Sequence, residues 1–388
     1  MRASVSRLGF AIAPLALGAI AACRSEPCNQ SQVICPYAGN GEPAFNGDGL
    51  APLQTSLYWP LDLDFASDGR AYLLDWQNHR LRRVNGDGRV ETVMGNDLVG
   101  DGPPDSSDLV WPGAPGSDVQ LNHPTDLTFL PGGQVVVAAW HNHKVRSLDP
   151  ATGMVMVLSG SGPGASGDGG PAPQALLWQP KSVVADAAGN IYVTDSHNQR
   201  VRRIDAATGI ITTVAGNGKE DFAGDGGPPL AASFRLQQAN ENPEPGGNIA
   251  LDGVGTGRLY VADTYNNRIR LVDLQAGTVA TVAGNGTAGF SGDGGPATDA
   301  ALFRPRDVEL GPDGRLFIAD TDNHRVRVVD LRTGIIDTVA GDGRPADGGD
   351  LGPARQASLH RPFGIAFDAA GFLYVADTFN NRIRRIAP

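Results

Sequence analysis

The stretch "ADTYNNRIRLVD", residues 262–273, decides the fold, because it returns along the chain, last as "ADTFNNRIRRIA" at 376–387. Its central six residues recur as "DWQNHR" at 75–80, "AWHNHK" at 139–144, "DSHNQR" at 195–200, "DTYNNR" at 263–268, "DTDNHR" at 320–325 and "DTFNNR" at 377–382. The starts lie 64, 56, 68, 57 and 57 residues apart, by subtraction. A long, nearly fixed period of this kind marks an array of one supersecondary unit.

The order within each unit is constant. In the fifth, an apolar segment follows a proline (305–310), then come the turn "GPDG", a second apolar segment (316–319), the motif, a third segment (326–329), the turn "RTG" and a fourth segment (335–340). Four short strands per unit make the blade of a β-propeller. The second segment is nearly all apolar, as in "LYVAD" at 259–263 and 373–377, which implies burial on both faces between neighbouring blades. The expectation is an all-β fold, a six-bladed β-propeller of four-stranded antiparallel blades.

The last unit stops at "RIRRIAP" without a fourth strand, while "VICPYAGNG" at 33–41 aligns without gaps on "IITTVAGNG" at 210–218. The N-terminal segment is therefore expected to join the last blade and close the ring, removing an exposed sheet edge.

Ahead of that strand, Arg2 and Arg7 precede an apolar run at 8–20, which reads as a signal peptide and is short for a resident membrane helix. It ends in "IAAC" at 20–23, which resembles the lipobox of bacterial lipoproteins, with cleavage before Cys23 and lipidation of its sulfur. The expected organisation is a signal at 1–22, a lipid-anchored tether at 23–31 and the propeller at 32–388. Export leaves Cys28 and Cys35 in an oxidising compartment, where they are expected to form a disulfide. Arg24 stands after the cysteine where an Asp would have hinted at inner-membrane retention, so the outer membrane is favoured.

The net charge of −11 disfavours nucleic acid and anionic lipid, which need a concentrated positive face. Any membrane contact is expected through the anchor alone. Gly 52 and Pro 28, without a long helical period, fit short strands and tight turns.

"ADTYNNRIRLVD", "ADTDNHRVRVVD" and "GNGTAGFSGDGGPATDAALFRPRDVEL" at 284–310 resemble NHL repeats of the long bacterial type, and the resemblance covers residues 33–387. It implies the propeller fold. The family is functionally mixed, with ligand- and protein-binding modules, sensor domains and a few lyases and hydrolases, so fold alone does not assign function.

In each motif the Asn is expected to cap the turn while Asp and Arg form a partly buried ion pair: Asp75 with Arg80, Asp195 with Arg200, Asp263 with Arg268, Asp320 with Arg325 and Asp377 with Arg382. Only the second unit lacks the Asp, having Ala139, and it also lacks the Arg, having Lys144. The loops "ASGDGGPAP" (165–173), "FAGDGGPP" (222–229) and "FSGDGGPATDA" (290–300) open no helix for phosphate and carry too few oxygen side chains for calcium. Glycines at positive φ, with an Asp bonding nearby amides, are expected there.

Function is expected where the repeats differ. The variable turn residues give a candidate ligand-binding face of Trp76, Trp140, His141, His197, Tyr265, Asp322 and Phe379, aromatic and polar groups of the kind that anchor ligands. Insertions at 99–120 and 230–248 reach the same face. Innermost-strand positions Asp62, Asp126, Ser182, Asn248, Asp307 and Gly364 are equivalent, and of these Asp62, Asp126, Asn248 and Asp307 could hold a metal such as Ca²⁺ in the channel. One lyase branch of the family holds zinc with histidines just after the first-strand proline; here those residues are Leu61, Thr125, Lys181, Arg306 and Phe363. Neither a catalytic residue nor a nucleophile elbow is evident. The reading is an extracytoplasmic, lipid-anchored binding or scaffold module for a protein, peptide or glycan, with no cofactor required. A calcium-dependent, lactonase-like hydrolase is the alternative.

Overall fold

A computed structural model describes residues 27–238, 244–252 and 257–388. The expected signal at 1–22 and Cys23 lie outside the described residues. Among these residues the helical pieces are three-residue 3-10 turns, and all regular structure beyond them is antiparallel sheet. Six sheets follow one another along the chain, each led by an innermost strand: Pro60–Phe65, Pro124–Phe129, Pro180–Ala185, Ile249–Leu251, Asp307–Leu310 and Pro362–Phe367.

The second strands of five blades, Ala71–Asp75, Val135–Ala139, Ile191–Asp195, Leu316–Asp320 and Leu373–Asp377, are buried at every residue. Their continuous apolarity follows from packing on both faces. Leu74, Leu81 and Met94 of one blade meet Leu127, Val137 and Val155 of the next, and the same sandwich recurs at the other blade junctions.

The ring closes as the sequence predicts. Strand Ile34–Ala38 pairs with Arg382–Ile386, with Ile34 opposite Ile386 and Cys35 opposite Arg385. Gly39, just beyond it, has φ +90°, and a Cβ there would lie 2.3 Å from the Asn381 carbonyl oxygen. Gly216 and Gly341 end true fourth strands against Gln199 and His324 at the same 2.3 Å, so the N-terminal strand occupies a genuine fourth-strand position. A disulfide joins Cys28 to Cys35, with Cα atoms 5.7 Å apart. The second blade departs from the four-stranded plan: Ala114–Pro115, from the 99–120 insertion, adds a short fifth strand against Met154 and Val155.

The ion pairs differ from those expected. Asp75, Asp195, Asp263, Asp320 and Asp377, all fully buried, pair with the arginine two residues beyond the motif: Arg82 (3.2 Å), Arg202 (3.5 Å), Arg270 (3.2 Å), Arg327 (3.4 Å) and Arg384 (3.5 Å). Arg80, Arg200, Arg268, Arg325 and Arg382 do face their aspartates across the strand pair. Their guanidinium groups instead run outward to loop groups: Arg80 to Asp97, Arg200 to the Ala165 carbonyl, Arg268 to the Asn285 carbonyl, Arg325 to the Asp342 carbonyl and Arg382 to Asp347.

The cause is a register slip between third and fourth strands at the inner arginine, as at Ile269/Arg270 and Val326/Arg327. A bulge re-aims the side chain beside it.

Each of these inner arginines also takes the aspartate of the preceding glycine-rich loop, Gly-Asp-Gly in four cases and Gly-Asp-Leu in the last: Arg82 with Asp48, Arg202 with Asp168, Arg270 with Asp225, Arg327 with Asp293 and Arg384 with Asp350, at 2.6–3.0 Å. The loop aspartate therefore clamps the loop to its blade through a charge; local amides are not its main partners. In the second blade, where Ala139 replaces the Asp, Arg146 pairs with Asp108 and Asp101 of the insertion. Lys144 also binds Asp101, so the inserted loop supplies the missing carboxylates.

Candidate functional site: the motif face and the channel

In five blades the motif turns are 3-10 turns such as Thr264–Asn266, ended by a residue in the left-handed region, here Asn267 at φ 53°. The motif Asp accepts the amide of a residue in the incoming loop, as Asp320 does from Phe303 at 2.8 Å. The motif Asn donates to a loop carbonyl, as Asn323 does to Gly289 at 2.7 Å.

The left-handed residue then reaches the next blade. Asn381 Oδ1 accepts the Trp59 amide, His79 Nδ1 that of His123, His143 Nδ1 that of Gln179, Asn267 Oδ1 that of Arg304 and His324 Nδ1 that of Arg361, all at 2.9–3.1 Å. Each amide belongs to the residue just before a first-strand proline. This side-chain clasp explains why the motif position carries Asn or His in five units, both of which offer an acceptor; in the third, Gln199 Oε1 accepts the Leu236 amide at 2.8 Å instead. Asn381→Ala should remove the clasp joining the last blade to the first and cost about 1–3 kcal/mol, the usual consequence of leaving a buried donor unpaired. Urea unfolding measures it, and an unchanged midpoint would contradict the assignment.

These pre-proline residues enter the candidate face between the variable turn residues. Trp59 stacks on Phe379 (ring centroids 4.7 Å apart) and on Trp76 (5.9 Å). Trp76 meets His123 at 4.6 Å and Trp140 at 6.3 Å, and His141 lies on Trp140 at 3.9 Å. Four predicted residues, Trp76, Trp140, His141 and Phe379, thus join one aromatic band, to which the structure adds Trp59 and His123. Trp59, Trp76, His123, His141 and Phe379 are half-buried, whereas Trp140 is buried with its indole N–H on Gln237 Oε1 at 3.2 Å.

The other predicted residues stand apart. His197 lies on Trp178 at 3.9 Å. Asp322 binds Arg361 at 2.9 Å and Arg304 at 3.5 Å, while Tyr265 donates its hydroxyl to the Glu244 carbonyl at 3.2 Å. Arg361 lies over Phe379 at 4.8 Å and grips Glu244 through both terminal nitrogens, so this charged corner adjoins the aromatic band. Burial holds the His123 imidazole down at about 3 and that of His141 at about 4, with neighbouring histidines adding to the effect. Both rings are neutral at physiological pH.

The described residues at the two ends of the 230–248 insertion, 230–238 and 244–248, both reach the mouth. Gln237 bonds Trp140 and Gln179 on one side, while Glu244 and Pro245 hold Arg306 and Arg361 on the other. Buried Lys181, Arg306 and Phe363 lie beneath it.

Below them the inner strands line a cavity of about 200 Å³. Asp62 accepts the amide of Leu127, Asp126 that of Val183, Ser182 that of Ile249 and Asp307 that of Ile365, at 2.7–3.3 Å. Four of the six inner strands are thereby tied to the next. At Gly364 a Cβ would lie 2.4 Å from the Leu61 carbonyl, which accounts for the glycine where its equivalents carry side chains. Among the described residues no group of three or more His, Cys, Asp and Glu stands ready to hold a metal ion.

Burial is the main cause raising Asp64 and Asp307 to about 7, and it pushes Asp62 and Glu309 well above the carboxylate range. Protons are thus bound more tightly in the folded than in the unfolded chain. The resulting stability is fully present below the unfolded pKa of about 4 and is lost as pH rises through about 7. Asp64→Asn should flatten the fall in unfolding free energy over that window, and a slope equal to that of the unsubstituted protein would contradict it.

Fold and site together define a closed six-bladed propeller with an aromatic-rimmed mouth. The chain is an NHL-repeat protein: the NHL repeat model matches residues 177–204 and 304–329, inside the third and fifth blades. It is similar to Protein SUPPRESSOR OF QUENCHING 1, chloroplastic, of Arabidopsis thaliana, 30% identical over 272 residues, covering 68% of this chain and 24% of that one. NHL repeat-containing protein 2 of Bos taurus is 26% identical over 288 residues, covering 68% and 38%. The chain thus spans about a quarter to two fifths of the length of these relatives. Among solved structures, an auxiliary nutrient binding protein from Bacteroides thetaiotaomicron superposes with a TM-score of 0.63 at 16% identity, covering 92% of this chain and 76% of that one. That likeness shows the fold alone.

Proposed function

We propose that the chain is an extracytoplasmic binding module that takes a peptide or glycan ligand on its motif face. The observation that carries the reading is the band from Phe379 through Trp59 and Trp76 to His123 and His141, half-buried rings in continuous contact. Partly exposed aromatics on a rigid scaffold anchor ligands at low entropic cost, and the adjoining Arg361, Glu244 and Asp322 provide polar recognition. The same fold serves a protein described as nutrient binding, which is compatible with a ligand-binding role. The Cys28–Cys35 disulfide supports an oxidising compartment. Lipidation of Cys23, with attachment to the outer membrane of a bacterial envelope, belongs to the same proposal.

The test is binding to glycan and peptide arrays by the whole protein and by the Trp76→Ala, Phe379→Ala double variant. The variant should lose about tenfold or more in affinity for any ligand the unsubstituted protein selects, a change of about 1.4 kcal/mol. Equal binding by both would place recognition elsewhere.

A further inference from the structure

We propose that the central channel, separately from the motif face, binds an organic dication: an α,ω-diammonium compound lying along the propeller axis. The channel carries acids in two tiers. Asp62, Asp126 and Asp307 form the upper tier with Asn248. Asp64 and Glu309 form the lower, two residues further along the strands of Asp62 and Asp307 and so on the same face, roughly 7 Å deeper.

The acids outnumber the bases that face them, so the cavity becomes unbalanced in charge as its carboxyls lose their protons. Five carboxyl groups line the cavity, and the nearby Lys181 directs its ammonium to the Thr125 carbonyl at 3.1 Å. Arg306 turns away to Glu244 and the Pro245 carbonyl on the motif side. Among the described residues, no hydrogen bond or ion pair reaches the Glu309 carboxylate.

Asn248 supplies an independent sign of a missing partner. It is only 4% exposed, and its Nδ2 donates to Asp307 at 2.9 Å, yet its Oδ1 is buried with no partner at all. A buried acceptor is ordinarily satisfied, and an ammonium donor would satisfy this one.

The geometry suits ammonium groups better than a bare metal ion. A metal needs several ligands converging on one point, which the described residues do not offer. An ammonium needs acceptors around it in only a loose cone, and two ammonium groups could serve the two tiers. Five bonds of about 1.5 Å in extended zigzag span roughly 6 Å, so a four-carbon diamine matches the tier spacing. Ile249, Leu251 and Ile365 line the cavity beside its methylenes. Access is from the face opposite the motif turns, where Asp64, Thr128 and Glu309 are half-exposed while the upper tier is buried.

The test is calorimetric titration of the intact protein with 1,4-diaminobutane, 1-aminobutane and calcium chloride at mildly acidic and mildly alkaline pH. The diamine should bind about tenfold or more tightly than the monoamine, and more tightly at the higher pH, where fewer protons must leave the carboxyls. Glu309→Gln and Asp64→Asn, in the half-exposed lower tier, should each weaken the diamine about tenfold while leaving monoamine affinity little changed. Equal affinity for monoamine and diamine, unaltered diamine binding in both variants, no diamine binding, or a preference for calcium would overturn the proposal.

Discussion

Asp320→Ala should destabilise the propeller by about 3–5 kcal/mol, the range for removing one partner of a buried charge pair. Three groups lose their acceptor at once: the Phe303 amide at 2.8 Å, the Asn323 side chain at 2.8 Å and the Arg327 guanidinium at 3.4 Å. Arg327 is fully buried, and its remaining carboxylate, Asp293, stands on a partly exposed loop. That loop covers the seam with the preceding blade, so the loss should spread beyond the turn itself. Chemical unfolding followed by tryptophan fluorescence measures it; a change below about 1 kcal/mol, the scale of an exposed pair, would show that Asp293 alone holds the arginine.

The second large effect is expected from deleting residues 31–38. The deletion removes the whole strand paired with Arg382–Ile386 together with Ile34, which is fully buried against Leu359, Val375 and Ile386. Truncating one such isoleucine side chain alone costs about 2–5 kcal/mol, and the backbone pairing is lost as well. The exposed edge of the last blade would then invite pairing between molecules. A much lower unfolding midpoint and concentration-dependent association in size-exclusion chromatography are the expected results; an unchanged midpoint would mean that the ring closes without this strand.

The fold was legible because it is repetitive. Six copies of one turn and a fourth-strand sequence displaced to the N-terminus leave few alternatives to a closed propeller. The true partner of the motif Asp lies just past the six-residue motif, whose own arginine faces the Asp across the strand pair without bonding it. An arginine, Arg82, Arg146, Arg202, Arg270, Arg327 or Arg384, stands two residues beyond the motif in all six units, including the one that lacks both the Asp and the first arginine. That signal was available in the chain. The bulge that aims this arginine inward was not, because it depends on register with the fourth strand.

The aromatic band was legible in part for a related reason. Trp76, Trp140, His141 and Phe379 vary among copies of one motif and stand out on alignment. Trp59 and His123 come from the pre-proline position of the following blade. Trp59 reaches Phe379 only because the ring closes, across more than three hundred residues of chain. In the channel, Asp62, Asp126 and Asp307 were found as equivalents, whereas Asp64 and Glu309 were missed although strand alternation places them on the same face two residues on.

The central claim is that the repeated motif is scaffold, holding each blade through its Asp and the inner arginine, so that recognition falls to the variable residues between. Side-by-side urea unfolding of Arg327→Ala and Arg325→Ala tests it most directly. Arg327 is buried between Asp320 and Asp293, and its loss should cost about 3–5 kcal/mol. Arg325 reaches the Asn323 and Asp342 carbonyls and lies over Phe290, and its loss should cost about 1 kcal/mol. Equal losses, or a larger loss at Arg325, would contradict the account.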